Sequence, residues 1–291
     1  MVSVIICSYR PDYFEKLSKN IEQTIGIDFE IVKVDNRIRK VGICKAYNEG
    51  ASLAKHEFLC FVHEDVIFKT KNWGKALVQK FKDEPSIGLV GIAGSKYKSL
   101  APGLGWYNNH HELDRLHLIQ HSKHSLEVVY ENRISKEYDD VVCVDGVFLF
   151  TTNRVWHSNK FDEKTFKNFH CYDLDFSLNV HQQYKVLVTN QILLEHFSLG
   201  NTDHVWLAES LKLSQKWKGK LPIGNLSRND KKRLEWIHKK WFIKEMVKHG
   251  YPRLEILKVL FGFGTVKFFS FTQFKSIIGY LLPKFIRTSH G

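Results

Sequence analysis

The sequence predicts an α/β protein, with a mixed, mostly parallel sheet flanked by helices and a basic helical extension at its C-terminal end. Three observations lead to this prediction. Short apolar, β-branched runs alternate with helical patterns over about the first 200 residues, as in βαβ units. Polar residues directly follow several of these runs, where open α/β sheets hold their ligands. The remaining residues show helical spacing and a strong excess of Lys and Arg.

The elements alternate regularly as far as residue 92. Apolar runs predict strands at 2–7, 29–34, 58–62 and 87–92, and helical spacing predicts helices at 13–24, 40–56 and 73–82. Farther along, strands are expected at 141–150, 186–188 and 192–194, with a helix at 173–183. No GxGxxG follows the first strand and no GxxxxGK[ST] occurs, so neither a dinucleotide fingerprint nor a P-loop is supported.

The stretch from Glu57 to Phe68, EFLCFVHEDVIF, is the one around which the chain is organised. Its apolar start is typical of a strand buried inside a parallel sheet. It then changes abruptly to His63, Glu64 and Asp65, at the end of the strand where ligands bind in such folds. The alternative is a strand that ends in a solvated acidic turn.

Between residues 94 and 140 the periodicity fades around a His-rich stretch, HHELDRLHLIQHSKH. Its residues His117, His121 and His124 have the i, i+4, i+7 spacing of one helix face, so a metal site is conceivable there. The alternative is a solvated or lid-like surface segment, since no cysteine or second acidic cluster accompanies these histidines at metal-binding spacing.

Two later stretches carry carboxylates. Asp145 and Gly146 interrupt the apolar run 141–150, and glycine inside a strand often marks the close approach of a ligand or another backbone. Asp173 and Asp175 open a predicted helix, where the helix dipole favours carboxylates. The alternatives are a bulge for the first pair and, for Asp175, a charge that only stabilises the helix end.

Taken in order, these residues resemble the inverting family 2 glycosyltransferases of the GT-A (Rossmann-like) fold, especially bacterial polysaccharide-type members. The resemblance covers roughly residues 2–217. It rests on six segments in the family's order: VSVIICSYR, FEIVKVDN, KAYNEGASLAKHEFLCFVHEDV, VDGVFLF, FHCYDLDFSL and EHFSLG. They resemble the nucleotide loop, the base-binding strand, the approach to the Asp-x-Asp metal motif, the strand lining donor and acceptor, the helix start with the catalytic base, and a late metal or phosphate ligand.

The resemblance implies roles for individual residues. Asp173 is the expected catalytic base. Asp65 and His196 are expected to hold a divalent cation, Mn²⁺ or Mg²⁺, with His63 as a further candidate ligand. The donor nucleotide sugar is expected to contact Ser8, Tyr9, Arg10, Asp35, Lys45, Asn48, Glu64, Asp145 and Gly146. The acceptor is expected to contact Trp106 and Asp175. By sequence context alone, Asp35 could also be a turn residue, and Arg10 and Lys45 could be surface cations.

Three positions depart from the family's pattern: Asp-x-Asp reads His63-Glu64-Asp65, the usual Glu-Asp pair reads Tyr172-Asp173, and Cys7-Ser8 replaces a proline of the first loop. Whether His63 or Glu64 assists through the metal, a ribose or a water stays open. A divalent cation would stabilise the leaving diphosphate as a Lewis acid. One or two carboxylates plus phosphates suffice to hold it, and an imidazole ligand slightly favours Mn²⁺.

The net charge lies entirely in the C-terminal region. Residues 201–291 contain 18 Lys/Arg and 6 Asp/Glu, a net of +12 that equals the +12 of the whole chain. Aromatic residues and leucines interleaved with lysines there fit an amphipathic region at an anionic membrane surface. The alternative is a helical subdomain that packs on the catalytic core or on a partner chain. No nucleic-acid partner is expected, because no recognised binding module accompanies the charge. The last helix, around 271–281, is expected to end at Pro283.

The leading hypothesis is a metal-dependent glycosyltransferase that transfers a sugar from a nucleotide-diphosphate donor, UDP-linked, to a glycan or lipid-linked acceptor in cell-surface polysaccharide synthesis. Residues 1–204 would form the catalytic domain and 205–291 the basic amphipathic region. Five scattered cysteines and no visible signal peptide favour a cytoplasmic location, peripheral at the inner face of the membrane. The rival hypotheses are a catalytically inactive nucleotide-sugar or glycan-binding protein on the same fold and a nucleotidyltransferase, for which the first loop is a poor match.

Overall fold

The computed structural model describes residues 1–121, 128–197, 200 and 202–287. The chain forms two compact units: Met1–Lys96 with Asn109–Asn201, and Tyr97–Asn108 with Thr202–Gly291. The second unit therefore includes a short segment from the middle of the chain, Tyr97–Asn108, which we call the strip. His124 of the His-rich stretch and residues 198–199 of EHFSLG lie outside the described residues. The functional boundary expected after residue 204 stays a prediction.

The first unit is built from strands and five helices within its described residues. The strands are β1 (Val2–Ser8), β2 (Phe29–Asp35), β3 (Phe58–Val62), β4 (Val66–Phe68), β5 (Ile87–Gly91), β6 (Ala93–Ser95), β7 (Asp114–His121), β8 (Val128–Asn132), β9 (Tyr138–Val141), β10 (Cys143–Val144), β11 (Phe148–Thr152), β12 (Lys185–Thr189) and β13 (Leu194–His196). The helices are α1 (Pro11–Thr24), α2 (Ile43–Leu53), α3 (Trp73–Asp83), α4 (Asn153–Asn159) and α5 (Tyr172–His181).

The main sheet has seven strands in the order β2-β1-β3-β11-β5-β12-β9. β1 pairs in parallel with β2 and β3, and β12 in parallel with β5, whereas β11 and β9 run antiparallel to their neighbours. A second sheet has the order β10-β6-β7-β13-β4, with β8 paired to β7. This mixed, partly parallel α/β architecture flanked by helices confirms the predicted fold class.

The strands form where the sequence analysis found apolar runs because those runs are buried. All residues of β1 and β3 are buried, as expected for strands covered on both faces. A fully buried aliphatic or aromatic side chain contributes ~1.5–3 kcal/mol relative to an exposed one. Helix α2 approaches β1 so closely that a Cβ on Gly50 would lie 2.4 Å from Ile5 Cγ2, so glycine is required at this crossing.

No strand was predicted between residues 94 and 140, where the periodicity fades, but the structure has strands there. That region contains β6, β7, β8 and β9. His117 and His121 lie on β7, so they do not share a helix face. His117 is buried, and its Nδ1 lies 2.9 Å from the Ile192 carbonyl oxygen. Pairing of β7 with β6, β8 and β13 satisfies its backbone and overrides the local pattern.

The apolar run 141–150 was expected to be one interrupted strand, but it is divided among three. β9 ends at Val141, β10 leaves the main sheet to pair with β6, and β11 returns between β3 and β5. Asp145 and Gly146 lie in the turn between β10 and β11. Because β10 and β11 join different sheets, this turn lies at the edge where the two sheets meet.

The second unit contains four helices within its described residues: α6 (His204–Lys216), α7 (Arg228–Lys248), α8 (Arg253–Phe261) and α9 (Phe271–Arg287). Its core includes Phe242, Met246, Leu260, Ile277 and Leu281. Helix α8 was not predicted. None of the described helices is both long and apolar enough to cross a bilayer.

Pro283 was expected to end the last helix, and this is wrong because α9 continues through it. Proline removes one backbone hydrogen bond, to the carbonyl four residues earlier, and crowds that turn. The preceding turns of α9 are anchored by Ile277 and Leu281, which are almost fully buried. Their burial opposes the local cost of the proline.

Helix α7 buries three ionisable side chains, all of which have partners. The Glu235 carboxylate accepts hydrogen bonds from Tyr97 Oη at 2.7 Å, Leu100 N at 2.9 Å and Ala101 N at 2.8 Å. His238 Nδ1 accepts from Leu104 N at 3.3 Å, and its Nε2 donates to Asn108 Oδ1 at 2.9 Å. Lys239 Nζ donates to the carbonyl oxygens of Val259 and Gly262. Glu235 and His238 thus hold the strip, and Lys239 holds the end of α8.

Candidate functional site

The carboxyl ends of three parallel strands meet at one edge of the main sheet. Ser8 ends β1 and lies opposite Asp35, the last residue of β2. His63 directly follows β3, and its backbone N–H donates to the Val147 carbonyl at 3.2 Å. The polar residues that the sequence analysis found at separate strand ends therefore lie at the same edge, as such sheets require.

The pairing of β4 with β13 brings a late residue to this edge. His196 lies opposite Val66 in antiparallel register. His63, Asp65 and His196 then offer ligand atoms that all lie within 4.8 Å of one another. His196 Nε2 lies 3.6 Å from Asp65 Oδ1. These are the three residues expected to hold a metal, and the structure brings them together; their metal-binding role stays a prediction.

The imidazole of His196 is oriented by Gln120 on β7. His196 Nδ1 lies 3.1 Å from Gln120 Oε1, while Gln120 Nε2 donates to the carbonyl oxygens of His121 and His196, both at 3.4 Å. Because the amide oxygen can only accept, Nδ1 of His196 carries the proton and Nε2 keeps its lone pair. Nε2 is the nitrogen on the Asp65 side.

The imidazole of His63 is oriented in the same way by Tyr172. Tyr172 Oη donates to the Gly146 carbonyl at 3.1 Å, and His63 Nε2 lies 2.7 Å from the same Oη. The hydroxyl has one proton, so toward His63 it accepts, and Nδ1 of His63 keeps its lone pair. Burial lowers the pKa of His63, an effect that Asp65 opposes and His196 reinforces. Both imidazoles therefore present a basic nitrogen, as metal-binding histidines do.

A cavity of about 420 Å³ adjoins this cluster. It is lined by Cys7, Tyr9, Arg10, Tyr13, Ile43, Tyr47, His63, Glu64, Asp65, Phe169 and Phe197. Glu64 Oε1 accepts hydrogen bonds from the backbone N–H groups of Tyr9 and Arg10, both at 2.9 Å. Glu64 Oε2 and Ser8 Oγ are buried without a hydrogen-bond partner in the described part of the chain. A buried polar atom without a partner is costly, so Glu64 Oε2, whose residue lines the cavity, is available to bond to a ligand there. Ser8 does not itself line the cavity, although its neighbours Cys7 and Tyr9 do.

The aromatic wall of the cavity is fixed by local contacts. Tyr9 Oη lies within hydrogen-bond distance of Asn36 Nδ2 and is 3.3 Å from the Val41 carbonyl. The Arg10 guanidinium pairs with Asp12 at 3.0 Å and lies 4.1 Å from the centroid of the Tyr13 ring. The rings and the guanidinium offer flat surfaces of the kind on which nucleobases stack.

Asp173 is held against the turn that carries Gly146. Its Oδ2 accepts from Gly146 N at 3.0 Å. A Cβ on Gly146 would lie 2.0 Å from Tyr172 Oη and 3.0 Å from Asp173 Cβ, so only glycine allows the start of α5 to approach. Through its N–H and its carbonyl, Gly146 fixes both Asp173 and, by way of Tyr172, His63.

The environment of Asp173 suits proton transfer. Burial, and secondarily the negative charge of Asp145, raises the pKa of Asp173 to about 7. The N–H groups at the start of α5 and that of Gly146 oppose this shift. A carboxyl with a pKa near neutral pH is a stronger base than an exposed one and is still substantially ionised, which is the compromise a general base requires.

Five further residues with predicted roles are not among those that line the cavity. Asp35 is exposed and pairs with Arg37 at 2.6 Å, which lowers its pKa to about 2. Asn48 Oδ1 accepts hydrogen bonds from Trp156 Nε1 and Phe161 N, which hold α2 against the chain at residues 156–161. Lys45 is exposed, and Asp175 is only 1% exposed. The cavity lining includes neither the exposed pair Asp35 and Lys45 nor the pair Asn48 and Asp175. Trp106 belongs to the second unit. Their roles stay predictions.

The sequence analysis did not identify Gln120, which orients His196, and saw Tyr172 only as a departure from a family pattern. Gln120 lies in the stretch where the periodicity fades and no strand was predicted. The one available signal was the alternation of apolar Leu116 and Leu118 with polar neighbours, which is typical of a strand. Tyr172 could not be assigned because its partner, His63, lies far away in the sequence.

Known proteins provide an independent test of this interpretation. A sequence profile of the glycosyltransferase-like family matches residues 3–219. The structure resembles GalNAc-T7 with UDP, GalNAc and Mn²⁺, at 13% identity and a TM-score of 0.51, covering 87% of this chain and 58% of that one. It also resembles residues 1–349 of TarS from S. aureus with UDP-GlcNAc, at 12% identity and a TM-score of 0.46, covering 89% of this chain and 70% of that one.

This chain thus spans less than two thirds of the length of GalNAc-T7. No curated protein sequence matches it. The profile covers most of the chain and includes every residue of the cavity and of the three-residue cluster, and the fold is that of GT-A enzymes. The chain belongs to the glycosyltransferase-like family.

Proposed function

We propose that this protein is a metal-dependent, inverting glycosyltransferase that transfers a sugar from a UDP-linked donor to a hydroxyl of a glycan or lipid-linked acceptor. The observation that carries the proposal is the cluster of His63, Asp65 and His196 beside a cavity with unpartnered buried oxygens. The UDP and GalNAc bound to GalNAc-T7 are consistent with a UDP-sugar donor. Assembly of cell-surface polysaccharide at the inner membrane face is the setting that the sequence resemblance favours.

The donor atoms of the cluster fit a divalent cation. Asp65 supplies an anionic oxygen, and His63 and His196 each present an unprotonated nitrogen that is fixed by a hydrogen bond on the far side of the ring. Imidazole ligands suit transition metals, whereas Mg²⁺ prefers oxygen, so Mn²⁺ is the better fit. When bound, such an ion supplies Lewis-acid stabilisation to the leaving diphosphate.

The remaining cavity residues would position the nucleotide. Glu64 uses Oε1 to hold the first loop, which leaves Oε2 to accept a donor hydroxyl. Ser8 Oγ can bond to the same ligand. Tyr9, Tyr13 and Arg10 offer surfaces for the base. Binding of the donor would thereby satisfy atoms that are otherwise buried without partners, so the cavity is organised for a polar ligand before it arrives.

Asp173 would act as the general base. Gly146 N–H holds Oδ2, which leaves Oδ1 to take the proton of the acceptor hydroxyl. The acceptor oxygen forms a bond to the anomeric carbon as the bond from that carbon to the diphosphate oxygen breaks. The bonding electrons leave with the diphosphate, and a single displacement of this kind inverts the anomeric centre.

A second candidate is a non-catalytic protein that binds nucleotide sugars. The observation that favours it is His63 in place of the first acid of the Asp-x-Asp motif. Such a protein would use the cavity and the metal cluster to bind its ligand, and it would not need Asp173 as a base.

The test is incubation with a panel of nucleotide sugars and Mn²⁺, measuring released nucleotide diphosphate. We expect release with at least one UDP-sugar, and its loss with chelator or in the Asp65→Ala variant. Calorimetry should show that Asp65→Ala also loses metal-dependent donor binding while its thermal unfolding is unchanged. Tight, metal-dependent binding without release by any donor and acceptor would favour the second candidate. Undiminished donor affinity of Asp65→Ala would contradict the metal assignment.

A further inference from the structure

The second unit has a cavity of its own, of about 430 Å³. It is lined by Leu226, Arg228, Lys231, Lys232, Lys267 and Phe268. Three of the cations come from the start of α7, and Lys267 comes from the short 3-10 turn Val266–Phe268. Two elements that are distant in the sequence therefore direct positive charge into one concave surface, which we call the basic cavity.

The cations of the basic cavity are not neutralised by the protein. In the described part of the chain, no carboxylate lies within ion-pairing distance of Arg228, Lys231, Lys232 or Lys267. The nearby acid, Asp230, instead accepts from Ser227 Oγ at 2.7 Å and faces Arg233 at 4.0 Å. Other lysines of the unit do pair with acids, as Lys212 does with Glu209. Lys218, Lys258 and Lys275 also have no acid partner among the described residues, so what distinguishes the basic cavity is that its unpaired cations converge on one concave surface.

The backbone adds to the positive potential. The first turn of α7 contributes the positive end of the helix dipole, where cations are normally disfavoured. Three cations lie in or next to that turn, with a fourth from another element opposite them. The positive charges of these four side chains repel one another, and an anion that enters the space between them relieves the repulsion.

Apolar side chains accompany the charges. Leu226 and Phe268 line the basic cavity itself. The chain exposes Val266, the first residue of the Val266–Phe268 turn, at 40%, and Phe271, three residues after the turn, at 84%. An exposed aromatic residue beside a basic, partly apolar surface is typical of proteins that lie on the membrane interface. The combination fits an amphiphile with an anionic head and an apolar tail better than it fits a fully polar anion.

We propose that the basic cavity binds the phosphate group of an anionic phospholipid and so holds this unit on a membrane surface. The phosphate oxygens accept hydrogen bonds from the lysines and Arg228, while Phe271 and Val266 enter the acyl region. This proposal does not depend on the glycosyltransferase activity, because every residue it uses belongs to the second unit.

The test is sedimentation of the full-length protein with vesicles at low salt. Vesicles of equal parts phosphatidylglycerol and phosphatidylcholine should bind the protein, and vesicles of phosphatidylcholine alone should not. The variant with Lys231→Gln, Lys232→Gln and Lys267→Gln should bind on the order of 100-fold more weakly, because each basic residue near an anionic surface adds roughly fivefold to binding. The matched control replaces Lys218, Lys258 and Lys275, which are exposed lysines outside the cavity, by Gln.

Both variants lose three positive charges, so general attraction to an anionic surface would weaken equally in the two. A larger loss in the cavity variant would show that the basic cavity itself binds the lipid. Equal losses in both would overturn the proposal, as would failure of the wild-type protein to bind the mixed vesicles. Calorimetry with inorganic phosphate alone and a binding assay with single-stranded RNA complete the test. Binding of either without binding to vesicles would also overturn it, by assigning the cavity to a free phosphate or to a nucleic acid.

Discussion

The two units of this chain both bury ionisable side chains, but they do so in different ways. In the second unit, Glu235 and His238 on α7 use their hydrogen-bonding atoms to hold the strip. At the cavity of the first unit, Glu64 Oε2 and Ser8 Oγ are buried with no partner among the described residues. The bonding atoms of Glu235 and His238 are thus all occupied, whereas one bonding atom each of Glu64 and Ser8 is not.

The difference shows that a perturbed pKa alone does not identify a functional site. Burial lowers the pKa of His238 to about 3 and that of Lys239 to about 7, and it raises that of Asp173 to about 7. The shifts of the second unit are as large as those of the first. Structural networks and active sites both perturb pKa values, so the useful distinction is whether bonding capacity remains and faces a cavity.

The largest expected effect comes from replacing the proposed base. Asp173→Asn keeps the shape and the Gly146 contact but removes the basicity, so the transfer rate should fall by ~10²–10⁴, the usual worth of a general base. Donor affinity should hardly change, since the base acts only as the proton leaves. Steady-state transfer kinetics and donor calorimetry measure the two quantities.

The matched control is Asp175→Asn, two residues along the same helix. Asp175 is almost fully buried, whereas Asp173 is only half-buried and is held by Gly146 N–H, so Asp175→Asn should transfer sugar faster than Asp173→Asn. If Asp175→Asn were the more damaging, the wrong carboxylate has been assigned; if neither change slowed transfer, the non-catalytic alternative would gain.

The next effect concerns metal affinity rather than chemistry. Gln120→Ala removes the partner that orients His196, and loss of such a contact typically weakens metal binding by ~10–100-fold. Titration of the protein with Mn²⁺ and detection of the free ion by electron paramagnetic resonance would measure this directly. Gln191→Ala, on an exposed glutamine of the same unit, should leave Mn²⁺ affinity unchanged. Equal affinities for both variants would remove Gln120 from the site.

A third effect is the pH dependence of transfer. Because a base must be unprotonated, the rate at saturating donor should rise about tenfold per pH unit below the pKa of Asp173, about 7, and level off above it. Asp173→Asn should lack this rise. A wild-type profile that is flat through pH 7 would show that Asp173 does not titrate in the rate-limiting step.

The smallest kinetic effect should come from the second unit. Glu235→Ala leaves three buried donors without an acceptor, each costing ~1–3 kcal/mol, so the unfolding free energy should fall by about 3 kcal/mol or more. Transfer per folded molecule should not change. Denaturant unfolding and kinetics at low temperature would measure both, with the exposed Glu255→Ala as control. A rate change without a stability change would contradict the purely structural role.

Sequence reasoning succeeded where the cause was local. β1 and β3 are uninterrupted apolar runs because both faces are covered, and that composition is visible without a structure. Because ligands of such sheets bind at the carboxyl ends of the parallel strands, His63 and Asp65 could then be assigned to that edge of the sheet. His196 could be added because the family resemblance, and not periodicity, pointed to it.

Sequence reasoning failed where long-range pairing decides the structure. The orientation of His196 by Gln120 joins residues 76 positions apart, through the pairing of β7 with β13. His117 and His121 have helical spacing, but pairing of this part of β7 with β8 and β13 imposes an extended backbone on them. Pro283 is a strong helix stop by its chemistry, yet the buried residues of α9 outweigh it.

The strip has a consequence for the order in which this protein can be made. Its partners on α7 follow it by 130 to 138 positions in the chain. At translation rates of about 5–20 residues per second, the strip leaves the ribosome roughly 7 to 28 s before Glu235 and His238 are synthesised. During that interval Tyr97, Leu100 and Ala101, all buried in the finished protein, have no α7 to cover them. The same applies permanently to a chain shortened to end before α7, so we expect such a fragment to aggregate even if its catalytic residues are all present.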